Sequence, residues 1–135
     1  MARKPGRTRS CTRREAQLRL RQAAQHVEVA DLVLADGEFP GVAASLAVLA
    51  GIAASDAACC ARLGEHHRGQ DHKAAVALVE TVEPGGQQLG KDLKRLLDRK
   101  DDAHYGFISV ASTEERDMVE WARRMVEQAR ATLEA

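Results

Sequence analysis

The chain has 135 residues, which is enough for one ordinary domain with a single continuous core but not for two. Aromatic residues make up only 3% of the sequence while alanine, leucine and valine are plentiful, which favours closely packed helices over a β-sandwich. The formal net charge is zero, yet residues 1–21 hold eight basic residues and one acidic residue, so a basic tail is balanced by an acidic remainder.

The first eleven residues are predicted to be a disordered basic arm. They combine arginine, lysine, proline, glycine, serine and threonine without apolar periodicity, and such a segment cannot offset the entropy lost on ordering. A single helical domain is then expected over residues 12–135. The candidates for contacting nucleic-acid phosphates are basic residues of the arm and of the helix that follows: Arg3, Lys4, Arg7, Arg9, Arg13 and Arg14. The alternative is a terminus that only aids solubility.

Two long helices are predicted next. Thr12 can cap the first, which should end at Asp36-Gly37. Its apolar residues recur at spacings of three and four, in a seam that suits one antiparallel partner: Ala16, Leu20, Ala23, Val27, Ala30 and Leu34. The second, from about Pro40 to Leu63, is alanine-rich on every side, so neighbours within the bundle or in a second copy should surround it.

Three more helices complete the prediction. The third runs from about Asp71, its N-cap, to Val82, and a Pro-Gly-Gly sequence breaks it. The fourth carries a leucine stripe from about Gln87 to His104. The fifth, ending near Leu133, should begin with a capping box formed by Ser112 and Glu115. We therefore expect an all-α fold, a single up-down bundle of about five helices.

The sequence favours a cytoplasmic location. Its longest apolar stretch, residues 42–54, is shorter than the roughly 20 residues that a membrane helix needs, so no membrane association is expected. The N-terminus lacks the pattern of a secretory signal. The cysteines, Cys11, Cys59 and Cys60, are odd in number and two are adjacent, which argues against a disulfide framework and for a reducing compartment.

The end of the fourth predicted helix is where chemistry is expected. A helical projection places Lys100 within the leucine stripe and His104 on the same face, with Arg99 on its flank. A cation in an apolar stripe is costly unless it faces a cleft, a partner charge or an interface. These residues are thus predicted to line a groove. The simpler alternative is that Lys100 extends to solvent and His104 caps its helix.

The sequence from Leu96 to Gly106 resembles the signature of HEPN domains. In that family an arginine, four to six intervening residues and a histidine form a metal-independent ribonuclease motif, which Arg99 and His104 match. Lys100, Ala103 and Tyr105 are similar to a related pattern of a basic residue, alanine and tyrosine. The five-helix layout agrees with the resemblance, which covers about Thr12 to Leu133. Lys100 departs from it, since active members usually have Asn, Asp or His directly after the arginine.

The resemblance implies an RNA-interacting protein, with Arg99, Lys100, His104 and Tyr105 as candidate catalytic residues and no cofactor or metal. Cleavage of RNA without a metal requires a base, an acid and a cation for the phosphorane charge. His104 can transfer the proton, while Arg99 or Lys100 can hold the phosphate. HEPN catalytic sites lie at dimer clefts, which implies a homodimer. The predicted function is an endoribonuclease of a toxin or defence system.

Other functions remain open. One is a non-catalytic HEPN module that binds nucleic acid or a partner such as a nucleotidyltransferase-type antitoxin. Another is a purely structural or regulatory helical bundle. A zinc site is not expected, because the spacing of the nearby cysteines and histidines matches no paired zinc motif: Cys59, Cys60, His66, His67 and His72.

Overall fold

A computed structural model describes residues 7–100 and 112–135 of the chain. Over these residues the fold is all-α, as predicted, with one additional small antiparallel sheet. The elements in chain order are β1 (Arg7–Ser10), α1 (Arg13–Asp36), α2 (Val42–Leu63), β2 (Glu65–Arg68), α3 (His72–Glu80), α4 (Gly86–Asp98) and α5 (Ser112–Glu134).

Helix α1 begins and ends where the sequence predicts. Thr12 and Glu15 form a reciprocal capping box, since each side chain accepts a hydrogen bond from the backbone N–H of the other residue. Gly37 closes the helix in the left-handed conformation at φ 78°, which glycine adopts without strain. The predicted seam does face the interior: Ala16, Ala23, Val27 and Ala30 are buried, and Leu20 and Leu34 pack against the core.

Helix α2 is the central element of the bundle. It packs against all four other described helices and against β2. Close approach to α4 depends on Gly51, where an added Cβ would lie 2.5 Å from Leu96 Cδ1. Among the described residues, α2 alone is long and apolar enough to cross a membrane, but 67% of its apolar window is buried inside the bundle. This degree of burial is typical of the core helix of a soluble protein.

The start of α2 differs from the prediction, and so does the role of Glu115. The helix begins at Val42 with Gly41 as its N-cap, two residues after Pro40. The buried carboxylate of Glu115, on α5, accepts hydrogen bonds from the backbone N–H groups of Gly41 and Ala44 at 2.9 and 3.3 Å. A carboxylate at this position satisfies free N–H groups and complements the helix dipole. Glu115 therefore caps α2 from the neighbouring helix.

The arm is ordered from Arg7 onward, so the prediction of disorder through residue 11 was wrong for residues 7–11. Residues Arg7–Ser10 form β1, which pairs antiparallel with β2 in the segment between α2 and α3. The backbone N–H of Cys11 also donates to the carbonyl of Gly64 at 2.9 Å. Hydrogen bonds between the backbones of β1 and β2 order this segment, although its side chains are mostly polar. Because such pairing does not require apolar side chains, the sequence shows no apolar pattern there.

The expectation of no disulfide was also wrong. Cys11, directly after β1, is bonded to Cys60 near the end of α2, with the two Cα atoms 5.5 Å apart. Adjacent cysteines on a helix point in different directions, so Cys60 can bond Cys11 while Cys59 stays buried in the core as a free thiol. The bond joins cysteines that are 49 residues apart, so the adjacency of Cys59 and Cys60 gives no information about it.

Candidate functional site

The predicted catalytic residues fall at the end of α4. The helix ends at Asp98 rather than near His104, and Arg99 occupies its C-cap position. Lys100, which follows the C-cap directly, is the last described residue before the gap. His104 and Tyr105 lie outside the described residues.

Arg99 is held away from the groove that Lys100 lines. Its Nη1 atom lies 2.7 Å from Oε2 of Glu114, in the first turn of α5. Arg99 is not among the residues that line the neighbouring cavity. A guanidinium paired in this way must exchange a carboxylate for a phosphate before it can bind RNA, so Arg99 is the weaker of the two candidate cations.

Lys100 lines a half-open cavity with a volume of about 260 Å³. Its Nζ atom lies 3.4 Å from Nε2 of His72, the first residue of α3. We call this cavity the polar groove; α2, the loop after β2, α3 and α4 form its walls. It is lined by Ile52, Ser55, Asp56, His67, Gly69, Gln70, His72, Ala75, Leu93, Leu97 and Lys100. Of the residues predicted to line a groove, Lys100 is the one that lines this cavity.

Asp56 is the carboxylate that lines the polar groove. It is also the only charged residue in the apolar part of α2. Its Oδ2 atom accepts hydrogen bonds from Nε and Nη2 of Arg19 at 3.2 and 3.1 Å, and Nδ1 of His66 lies 3.8 Å from Oδ1. Burial raises the pKa of Asp56, and the charges of Arg19 and His66 offset part of that rise. The carboxylate is therefore easier to protonate than an exposed aspartate.

His67 contributes an imidazole whose Nε2 atom is buried and has no hydrogen-bond partner among the described residues. A buried polar atom without a partner costs about 1–3 kcal/mol, so such atoms are rare in folded proteins and call for an explanation. His67 lies on β2, and its side chain lines the polar groove. A hydrogen-bonding ligand in the groove would supply the missing partner.

A second, more apolar groove adjoins the first. It has a volume of about 380 Å³ and shares His72 and Leu97 with the polar groove. Its other lining residues come from α3 and α4: Lys73, Val76, Ala77, Glu80, Lys94 and Asp98. Together the two grooves place charged side chains beside an apolar surface, an arrangement that is common in sites for small ligands.

The predicted phosphate-binding residues that the structure describes are divided between two elements. Arg7 and Arg9 lie on β1, while Arg13 and Arg14 lie in the first turn of α1. Arg13 is engaged elsewhere, because its Nη2 donates to the carbonyl oxygen of Leu133. Arg9 lines a small cavity of about 170 Å³ beside the disulfide, together with Arg19, Asp56 and His66. Arg3 and Lys4 lie outside the described residues.

The cysteine and histidine cluster that suggested zinc does not converge. Cys60 is consumed in the disulfide. Burial, and next the nearby charge of Asp56, raise the pKa of the Cys59 thiol to about 12, so it stays protonated at neutral pH. Within residues 7–100 and 112–135, no three metal-binding side chains come close enough to hold an ion.

Comparisons with known proteins give no family for this chain. No family model matches it, and no curated protein matches it.

His67, His72 and Asp56 are the site residues that the sequence prediction missed. In the sequence, His67 and His72 have a place only in the cysteine and histidine cluster considered for zinc. Asp56 did leave a signal in the sequence, because a single carboxylate in an otherwise uncharged helix is costly to bury without a partner or a function. The pairing of β1 with β2, which positions His67, left no comparable signal in the sequence.

Proposed function

We propose that the protein is a HEPN-like RNA-interacting module and a metal-independent endoribonuclease, with the polar groove as its active site. The observation that carries this proposal is the position of Lys100 beside His72, in a groove where Nε2 of His67 has no hydrogen-bond partner within residues 7–100 and 112–135. These side chains supply the cation and the proton-transfer groups that the reaction needs.

The proposed reaction is an internal transesterification. One imidazole removes the proton from the ribose 2′-hydroxyl as its oxygen attacks phosphorus, and a second protonates the 5′-oxygen as the phosphorus–oxygen bond to it breaks. Lys100 stabilises the negative charge of the phosphorane. With His67 and His72 lining one groove, a single chain carries two imidazoles for these steps. The resemblance also gives a proton-transfer role to His104, close in sequence to Lys100.

RNA cleavage in the presence of EDTA tests this proposal. The wild type is expected to leave 2′,3′-cyclic phosphate ends, and replacing a proton-transfer histidine by alanine should reduce the rate by about 10²–10⁴-fold. The variants are His67→Ala, His72→Ala and His104→Ala. His26→Ala is the matched control, because His26 lies on α1, where its Nδ1 contacts the carbonyl of Gln22 at 2.8 Å. Equal rates for the groove variants and the control would contradict the assignment.

Lys100→Ala and Arg99→Ala separate the two candidate cations. Loss of cleavage in the first variant but not in the second is expected, because Lys100 lines the groove and Arg99 is paired with Glu114. Circular dichroism should show that both variants are folded. If Arg99→Ala alone abolishes cleavage, Arg99 must leave Glu114 when RNA binds, and Lys100 is not the working cation.

The second candidate function is a non-catalytic HEPN module that binds nucleic acid or a protein partner such as a nucleotidyltransferase. The pairing of Arg99 with Glu114 favours it, since it neutralises the arginine of the resemblance motif. Here the wild type would cleave no RNA, while Lys100→Ala would still weaken binding to RNA or to the partner.

A cytoplasmic location also remains a proposal, because the disulfide removes the argument from cysteine usage.

A further inference from the structure

Helix α1 carries an exposed apolar face on the side opposite the core. Leu18, Val29 and Leu32 are 47%, 45% and 65% exposed. At 100° per residue, Leu18 and Leu32 lie within about 20° of the direction of Gln25, and Val29 within about 40°. The buried residues of the same helix, such as Ala16 and Val27, point roughly the opposite way. The bundle therefore leaves this face of α1 without a partner among the described residues.

The charges along this face change sign near its middle. Arg14 and Arg21 lie in the N-terminal half, and Glu28 and Asp36 lie in the C-terminal half; all four are exposed. Arg14 and Asp36 fall within about 20° of the line that carries Leu18 and Leu32. Two copies of α1 in parallel would bring like charges together. Two antiparallel copies would bring the basic half of each against the acidic half of the other.

We infer that a second copy of this chain packs antiparallel against the outer face of α1, with the two-fold axis near Gln25. In that register Leu18 of each copy lies opposite Leu32 of the other, and Arg14 lies opposite Asp36. Gln25 meets its own symmetry mate. Such a surface is self-complementary, as a two-fold interface requires. This face is distinct from the polar groove, so the inference does not depend on the proposed function.

A second copy fits this face better than an unrelated partner, because one register pairs the two leucines with each other and Arg14 with Asp36. In the same register Val29 lies opposite Arg21, whose aliphatic stem can cover it. The residues that face one another lie at equal distances on either side of Gln25 for both the leucine pair and the ion pair. The predicted seam of α1 cannot serve, since it is buried against the core of its own bundle. The outer face is thus the part of α1 that remains for association.

Sedimentation equilibrium of the full chain tests the surface. The wild type should be a dimer at micromolar concentration, and Leu32→Asp should weaken dimerisation by about tenfold or more, because each substitution acts twice in a two-fold interface and places a carboxylate against leucine. Leu49→Asp is the matched control, since Leu49 is 44% exposed on α2. A monomeric wild type, or an equal effect of the two substitutions, would overturn the inference.

Charge exchange tests the register. Arg14→Glu and Asp36→Arg should each weaken the dimer, and the double variant should restore it because the ion pair is rebuilt with reversed sign. Both changes complement the dipole of α1, so a loss of dimer cannot be ascribed to an unstable helix. If the double variant dimerises no more tightly than the single variant with the lower dimer affinity, the antiparallel register is wrong.

Oxidative cross-linking tests the axis. Gln25→Cys should form an intermolecular disulfide readily, whereas Gln17→Cys, also exposed on α1, should not. In the inferred register the two copies of residue 17 are roughly 24 Å apart along the helix axis, at 1.5 Å per residue. Cross-linking at Gln17 as efficient as at Gln25 would exclude a two-fold axis at this position.

Discussion

Asp92, which is fully buried, and Asp56, which is mostly buried, are carboxylates in very different surroundings on the two sides of the core. Asp92, on α4, is 1% exposed, and its oxygens contact Arg124 Nη2 at 2.7 Å, Gln88 Nε2 at 3.2 Å and Arg95 Nη1 at 3.7 Å. Its partners come from α4 itself and from α5, which packs against it. Asp92 is therefore a structural site, in which side chains of two packed helices hold one buried carboxylate.

Asp56 is placed between two cavities instead of within a closed cluster. It lines both the polar groove and the small cavity beside the disulfide. Its partners, Arg19 and His66, come from α1 and β2, and β2 is held in place by β1 and the Cys11–Cys60 bond. The contrast suggests a criterion for function: buried charge that opens onto a cavity is available for chemistry, whereas buried charge with a full set of partners stabilises the fold.

The largest expected effect concerns the disulfide on the Asp56 side. Replacing Cys11 and Cys60 together by serine should lower the free energy of unfolding by about 2–4 kcal/mol, because the bond closes a long loop in the unfolded chain. Urea unfolding with and without a reductant measures this loss. The double variant is its own control, since a reductant should leave its stability unchanged.

The same experiment sharpens the comparison between the two carboxylates. Hydrogen exchange in the reduced protein should increase in β1 and β2, which the bond holds, and stay low around Asp92 and Arg124. If hydrogen exchange instead becomes uniformly faster across α4 and α5, the disulfide stabilises the whole bundle. The Asp56 side and the Asp92 side of the core would then not be independent.

The second prediction addresses Asp92. Arg124→Gln should cost about 1–3 kcal/mol, because it removes a charged hydrogen bond from a fully buried carboxylate. Consistent with that bond, hydrogen bonding to Asp92 raises the pKa of Arg124. Arg130→Gln, an exposed arginine on the same helix, should change stability by less than about 0.5 kcal/mol. Equal losses in thermal or urea unfolding would mean that Asp92 does not depend on Arg124.

Much of the fold, but less of the site, could be predicted from the sequence. The starts of α1 and α3 follow local rules, and the side chains of Thr12 and Asp71 do cap them. The buried residues of α1 and α5 follow helical periodicity. The cap of α2 by Glu115 and the disulfide depend instead on contacts between segments distant in sequence, which no local pattern encodes.

The end of α4 shows why the site was the harder part. The leucine stripe correctly predicted the buried side of the helix, with Leu89, Leu93 and Leu96 in the core. The stripe could not be extended to Lys100 in the same way, because α4 ends at Asp98 and Arg99 is its C-cap. Lys100 nevertheless lines a groove, because α3 brings His72 to it. Tertiary packing, not the stripe, determines which residues meet there.

The third prediction concerns the pH dependence that Asp56 introduces. Because burial raises its pKa in the folded protein, Asp56 contributes stability below the unfolded aspartate pKa of about 3.9, and that contribution is lost as the pH rises through the folded value. Asp56→Asn removes the titration. Relative to the variant, the wild type should therefore lose stability as the pH rises from about 4, in urea unfolding at a series of pH values. Parallel stability curves for the two proteins would contradict the raised pKa.

The smallest expected effect is that of Asp31, an exposed counterpart of the two buried carboxylates. Arg123 donates to both of its oxygens, at 2.7 and 2.9 Å, and this hydrogen bonding lowers the pKa of Asp31. Its stabilisation is therefore present above the unfolded pKa of about 3.9 and is lost as the pH falls through the folded value, opposite in sign to that of Asp56. Because both side chains are over one-third exposed, solvent screening limits the expected cost of Asp31→Asn to about 0.2–1 kcal/mol near neutral pH. The difference from wild type should shrink in high salt and in acid. If the stability cost of Asp31→Asn is unchanged in both conditions, Asp31 acts through packing. Its greater exposure would then not explain why it differs from Asp56 and Asp92.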